Sequence, residues 1–284
     1  MSDYQAVMVI VDEMWTQFMG SVGKHDPSAG ETWFKGRFAE SVELALGRGG
    51  DWDREKETVY RLLKLSGELA AARSEITNAD PDAPLTKLDV ASAVRGVRMG
   101  ACDEIKGRWC HFVIDDPEPN PTDEPSPSSK KALGSYDIDV ERVRDESDAV
   151  MQDIVENYRS LLRGHEFTDH AKKYFLDGFA ESIADRPADY NKDKLLVRRL
   201  LKLACRISVE RAELTEPYGR DLTTNDVWFG LVAARWAACP LDEYKIGPEG
   251  RWCNFLRPCP PEDPDCEVKF EFKAGAIPPH KRKK

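Results

Sequence analysis

The chain has 284 residues, 41% of them hydrophobic and 32% charged, and a formal net charge of −10. That length accommodates two ordinary domains, and the acidic balance excludes wrapping of nucleic acid by bulk charge, which rests on an excess of Lys and Arg. No apolar run approaches the length of a membrane span, and the start "MSDYQ" lacks the basic and apolar regions of a secretory signal, so the expectation is a soluble cytoplasmic protein with no membrane partner.

Helical periodicity begins at once: Val7, Ile10, Val11, Met14 and Phe18 fall on one face of a helix. A Gly/Pro-rich turn from Gly20 to Gly30 follows, and then Trp33, Phe34 and Phe38 lead a second helix as core aromatics. The glycine-rich, charged residues 47–56 join it to a long third helix, in which Val59, Leu62, Leu63, Ser66, Leu69 and Ala70 share a face. That helix leaves through Arg73, Glu75 and Thr77 into a polar loop with Pro81 and Pro84. Thr86 and Asp89 then signal a fourth helix, the hydroxyl facing the open amides of the first turn and the carboxylate suiting the helix dipole. It ends at Met99-Gly100-Ala101-Cys102, and Gly-Arg-Trp-Cys follows at 107–110.

The whole series then returns. Arg-Leu-Leu-Lys-Leu at 61–65 recurs 138 residues on, at 199–203, and Thr86-x-x-Asp89-Val90 recurs 137 residues on, as Thr223-x-x-Asp226-Val227. Ala149, Val150, Ile154, Tyr158 and Leu161 answer the first helix, and Tyr174, Phe175 and Phe179 the second. Residues 185–194 answer the joint, Val197, Leu200, Leu201, Ala204, Ile207 and Ser208 the third helix, and Gly-Arg-Trp-Cys closes again at 250–253. A fixed-period recurrence of this kind is an internal repeat. The predicted fold is therefore mainly α: two homologous four-helix bundle domains in tandem, residues 1–115 and 144–258. A Pro/Ser/acidic linker at 116–143 joins them, and an extension at 259–284 carries a short strand (Val268–Phe272) and a basic tail (His280–Lys284).

Chemistry is sparser than architecture. Gly20-Ser-Val-Gly-Lys-His25 lacks the spacing of a phosphate loop, and no dinucleotide fingerprint or zinc-hydrolase helix occurs. Of the seven cysteines, Cys239, Cys253, Cys259 and Cys266 are the candidate metal ligands, although their spacing contains no knuckle of a zinc site. The competing readings pair Cys102 with Cys110, Cys239 with Cys253 and Cys259 with Cys266, or bury most cysteines as small apolar residues, with Cys205 in the core. Glu13, Glu156, Glu40 and Glu181 recur at equivalent places and read as surface or capping carboxylates rather than a di-metal set, which would also use Glu-x-x-His pairs. Arg73 and Arg211, Arg98 and Arg235, and Arg108 and Arg251 are kept in both copies and are the candidate anion- or partner-binding residues. Their alternative role is to bond last-turn carbonyls or a neighbouring carboxylate. No cofactor is implied.

The third and fourth helices, "YRLLKLSGELAAAR…LTKLDVASAVRGV" and "VRRLLKLACRISVERAEL…LTTNDVWFGLVAARW", resemble the C-terminal helical lid of AAA+ ATPases of the minichromosome-maintenance and MoxR type. The resemblance spans residues 57–100 and 195–239. It implies a helical unit that belongs to a nucleic-acid-processing or phage-related assembly. Walker motifs are missing, and Glu57 and Leu195 stand near where a lid carries its sensor arginine, so ATPase activity is not implied. The expectation is a non-enzymatic binding or scaffold protein with a protein partner, nucleic acid being reachable only through the basic tail. The alternatives are an enzyme with a site between the repeats, built from duplicated arginines and carboxylates, and a DNA-binding doublet like the histone fold, against which the acidic charge argues.

Overall fold

A computed structural model describes residues 3–78, 80, 82–102, 112, 140–185, 187–216 and 220–238. The expected linker up to residue 139, the Cys259–Cys266 loop, the strand at 268–272 and the basic tail lie outside the described residues. Eight helices are described: α1 (Asp3–Met19), α2 (Ser28–Gly47), α3 (Trp52–Thr77), α4 (Lys87–Cys102), α5 (Val140–Arg159), α6 (Asp169–Asp185), α7 (Pro187–Thr215) and α8 (Thr224–Ala238). The fold is mainly α, as the periodicity predicted. No helix among the described residues is long and apolar enough to cross a membrane.

Two joints are shorter than the composition suggested. Asp51 accepts a hydrogen bond from the Arg54 amide at 3.2 Å and so caps α3, which starts the helix inside the segment read as a loop. At the equivalent place α7 begins at Pro187, a residue whose missing amide costs nothing in a first turn. Helix α5 likewise starts within the stretch assigned to the linker.

The first four helices pack as α1 on α2 and α3, with α2 and α3 on α4, and the last four repeat these neighbours as α5 on α6 and α7, with α6 and α7 on α8. Each set has an aromatic cluster. In the first, Trp15, Phe18, Phe34 and Phe38 lie with ring centroids 4.0–5.5 Å apart. In the second, Tyr158, Phe167, Phe175 and Phe179 do the same at 4.8–5.8 Å. Such contacts add about 0.5–1.5 kcal/mol each beyond the area they bury.

The six apolar-face positions expected on α3 and the six on α7 are all buried. Burial, however, extends round both helices to Leu65, Ala71 and Ala72 on α3 and to Leu203, Val209 and Ala212 on α7. Each helix keeps a solvent side, Lys64 and Lys202 being exposed, but its buried face is wider than one bundle requires. The reason is that α3 and α4 also pack on α7 and α8, so the buried apolar residues of both sets form one continuous cluster where the sequence pointed to a core in each half.

The two halves meet most closely where α4 crosses α8. A Cβ at Gly96 would lie 2.5 Å from Ala237 Cβ and 3.0 Å from the Ala233 carbonyl oxygen; one at Gly100 would lie 2.6 Å from both Ala233 Cβ and Ile207 Cγ2. Gly100→Leu is expected to lower the urea-unfolding stability by about 1–3 kcal/mol, because the crossing has no room for the side chain. Gly36→Ala, on the exposed side of α2 with nothing within 4 Å of the added methyl, is expected to raise it by about 0.5–1 kcal/mol. Equal effects would place the halves further apart than described.

Candidate functional site

The polar chemistry of the molecule concentrates at the starts of α4 and α8 and along the seam between the halves. Thr86 and Asp89 form a reciprocal capping box. The Thr86 amide donates to Asp89 Oδ2 at 2.8 Å, and the Asp89 amide donates to Thr86 Oγ1 at 3.2 Å. Thr223 and Asp226 repeat it at 2.8 Å and 3.4 Å. The second oxygen of each aspartate turns towards an arginine of the preceding long helix: Arg73 Nε lies 3.1 Å from Asp89 Oδ1, and Arg211 Nε lies 3.7 Å from Asp226 Oδ1, all four side chains being buried.

One carboxylate thus caps one helix and neutralises a buried guanidinium on its neighbour, which fixes the register of the two helices. Arg73 reaches further, donating through NH1 to the carbonyl of Ala237 in the last turn of α8 at 3.2 Å. The Arg211 guanidinium sits 3.9 Å over the Phe229 ring. Asp226 has a second cation, Arg220, whose NH2 donates to Oδ1 at 3.0 Å and whose NH1 contacts Oδ2.

Of the arginines picked out from the sequence, Arg73 and Arg211 are brought into these buried pairs, while Arg98 and Arg235 lie half-buried on α4 and α8. Arg108, Arg251 and the candidate ligands Cys239, Cys253, Cys259 and Cys266 lie outside the described residues. Among the described residues no cluster of His, Cys, Asp and Glu is arranged to hold a metal ion. Cys102 and Cys205 are both buried, and burial pushes the Cys205 thiol up to about 12, which keeps it protonated and unreactive near neutral pH. Glu13 accepts from the Tyr60 hydroxyl at 2.8 Å, and Glu40 faces Arg37 at 3.1 Å on the surface.

Sequence reasoning missed the histidines that tie the two loops of each half together and link them, through a carboxylate, to an arginine across the seam. His25 presents Nδ1 to the Ala83 carbonyl at 2.8 Å, so that nitrogen carries a proton, and Nε2 to Glu75 Oε1 at 3.4 Å. Glu75 in turn accepts from Arg199 of α7 at 2.7 Å. The second half repeats the chain: His165 Nδ1 faces the Arg220 carbonyl at 2.7 Å, His165 Nε2 lies 3.8 Å from Glu213 Oε1, and Glu213 Oε2 lies 3.6 Å from Arg61 of α3. The signal was present, since both histidines follow a glycine-bearing turn after the first helix of their half. A slip of a few residues between the two loops hid the match.

The second half adds Glu210, buried, which accepts from Arg61 Nε and from Arg163 NH1, both at 2.9 Å. At the opposite end of the chemistry, Arg198 and Tyr190 both bond Asp153, fixing α7 on α5.

Removing one partner of a buried pair leaves an uncompensated charge, which destabilises by about 3–5 kcal/mol. Asp89→Ala and Asp226→Ala are each expected to lose that much in urea unfolding, and a loss below about 1 kcal/mol would mean the guanidinium is solvated. Glu75 supplies a pH test. Burial raises its carboxyl, but the hydrogen bond and charge of Arg199, with His25 behind them, hold it below its ordinary value of 4.5. Its contribution to stability is therefore present above that value and lost as pH falls through the depressed one. Arg199→Ala is expected to flatten the acid limb of the stability profile, and an unchanged limb would show that the pair is not linked to folding.

Comparison of the chain with protein-family models, with curated proteins and with solved structures returned no match. Function is therefore read from the residues and their geometry.

Proposed function

We propose that the chain is a tandem duplication of a four-helix unit, residues 1–115 and 144–258. Its two units pair about a pseudo-twofold axis into a cytoplasmic, non-enzymatic binding or scaffold protein. The observation that carries this reading is reciprocity. Arg61 pairs with Glu213 at 3.6 Å and Arg199 with Glu75 at 2.7 Å. Arg199 is the repeat of Arg61, and Glu213 is the repeat of Glu75. Gly96 faces Ala237 and Gly100 faces Ala233, again with the roles of the two copies exchanged. A contact made twice with exchanged roles is what a twofold operator produces.

The binding-protein reading draws support from how the seam uses its charges. An enzyme between the repeats would turn Arg73 and Arg211 towards a substrate, whereas both lie against Asp89 and Asp226 and close the seam. The partner is another protein, and the resemblance of α3–α4 and α7–α8 to AAA+ lids makes a nucleic-acid-processing or phage-related assembly its setting. The basic end at His280–Lys284 is the element proposed to touch nucleic acid.

The test is magnesium-dependent phosphate release from ATP by the purified chain, beside Arg98→Ala and Arg235→Ala variants and capture of partners from the native source. Phosphoryl transfer needs a run of backbone amides, a lysine on the terminal phosphates and a bound metal. The expected result is no turnover and a protein partner at fixed stoichiometry. Turnover lost in either variant would overturn the scaffold reading in favour of an enzyme site between the repeats.

A further inference from the structure

The identical frames Arg-Leu-Leu-Lys-Leu at 61–65 and 199–203 set the register of α3 against α7 with no gap, so Glu68 and Arg206 occupy the same position of the two copies. These two residues touch each other: Arg206 NH1 donates to Glu68 Oε2 at 2.6 Å. A position meets its own equivalent only on a twofold axis, whereas pairs off the axis occur twice, as Arg61–Glu213 and Arg199–Glu75 do. Were the two copies identical here, the axis would bring two carboxylates or two guanidinia face to face. The chain instead holds opposite charges, both partly withdrawn from water.

Resting on the duplication proposed above, we infer that the α3 face of the first half is a selective recognition surface. Its fitting partner is the α7 face of the second half, and it rejects a second copy of itself by like charge on the axis. A neighbouring departure from symmetry acts in the same direction. Glu210 stands where the first copy has Ala72, and it takes Arg61 from the first half as its partner at 2.9 Å. Specificity of this kind is a difference between the right pairing and the wrong one, and an axial like-charge contact enlarges it from the wrong side.

The full-length chain tests this by charge exchange. In urea unfolding, Glu68→Arg and Arg206→Glu each place like charges on the axis and are expected to reduce the folded-to-unfolded ratio by about tenfold, a size usual for coupled neighbours. The double variant restores opposite charges in exchanged places and is expected to return to within about threefold of the parent. A double variant as unstable as the two single losses combined would overturn the inference. Should the reversals fail to fold, the cycle of Glu68→Ala and Arg206→Ala reads the same coupling, and its absence has the same meaning. Parallel alanine cycles on Arg61/Glu213 and Arg199/Glu75 separate the two levels. Coupling in both with none at Glu68/Arg206 leaves the axis standing and ends the selectivity; coupling in neither ends the duplicated axis and the inference with it.

Discussion

The structure depends on how closely α4 can approach α8. Glycine at 96 and 100 and alanine at 233 and 237 let the two helix backbones come within one methyl group of contact, and this draws α3 and α7 against the opposite half as well. The long helices, each with one core face in its own half, then bury a second, while Lys64 and Lys202 stay exposed. Leu65, Ala72, Leu203 and Val209 are buried as a result, and the apolar interior becomes continuous from one aromatic cluster to the other. At about 25 cal/mol per Å² of apolar surface removed from water, a seam of small residues gains little per side chain. It gains through the number of backbone and side-chain atoms brought into contact.

So close an approach leaves few routes for charge. Arg73 and Arg211 are buried beside it, and a buried guanidinium is tolerable only with a partner and good hydrogen bonds. Asp89 and Asp226 supply both from a position already required for capping. The capping box sets where α4 and α8 begin, the arginine sets how each lies on the long helix before it, and Arg73 carries the link on to the end of α8. Further out along the seam the same logic recurs in a wetter setting, where His25, Glu75 and Arg199, and their counterparts His165, Glu213 and Arg61, join loops to the opposite half.

Much of this was legible in the sequence for a physical reason. The 3.6-residue period records one buried face per helix, and the faces of α1, α3 and α7 follow it, as does that of α5 up to Tyr158, whereas Leu161 lies beyond the helix and Leu162 is the buried residue. Thr86, Asp89, Thr223 and Asp226 announce caps through local spacing alone. The seam left no such trace. Its apolar members are Gly96, Gly100, Ala233 and Ala237, which periodicity cannot distinguish from helix filler, and Leu65 and Leu203 fall outside the face that a single amphipathic helix needs. Its polar contacts join residues far apart in the chain, such as Arg61 with Glu210, and no local pattern reports them. The arginines chosen because they recur proved divided, Arg73 and Arg211 lying in buried pairs and Arg98 and Arg235 half-buried elsewhere.

Where the halves differ is as informative as where they agree. His25 and His165 align the two turns, so Gly23 at φ 67° corresponds to Arg163 at φ 51°. Glycine holds a left-handed conformation without strain, whereas an arginine there costs roughly 1–2 kcal/mol. The Arg163 side chain recovers this through a charge-assisted hydrogen bond to the buried Glu210 carboxylate, which the first half cannot match because Ala72 stands at the equivalent place. Glu210 would itself be a severe liability with only one cation, and Arg61 of the first half provides the other. The strained turn, the buried carboxylate and the arginine from across the seam therefore form one unit, in which the carboxylate holds both cations. On the proposed duplication, such a unit has no place in a symmetric pair of identical copies. It requires that the two halves stay different and stay together.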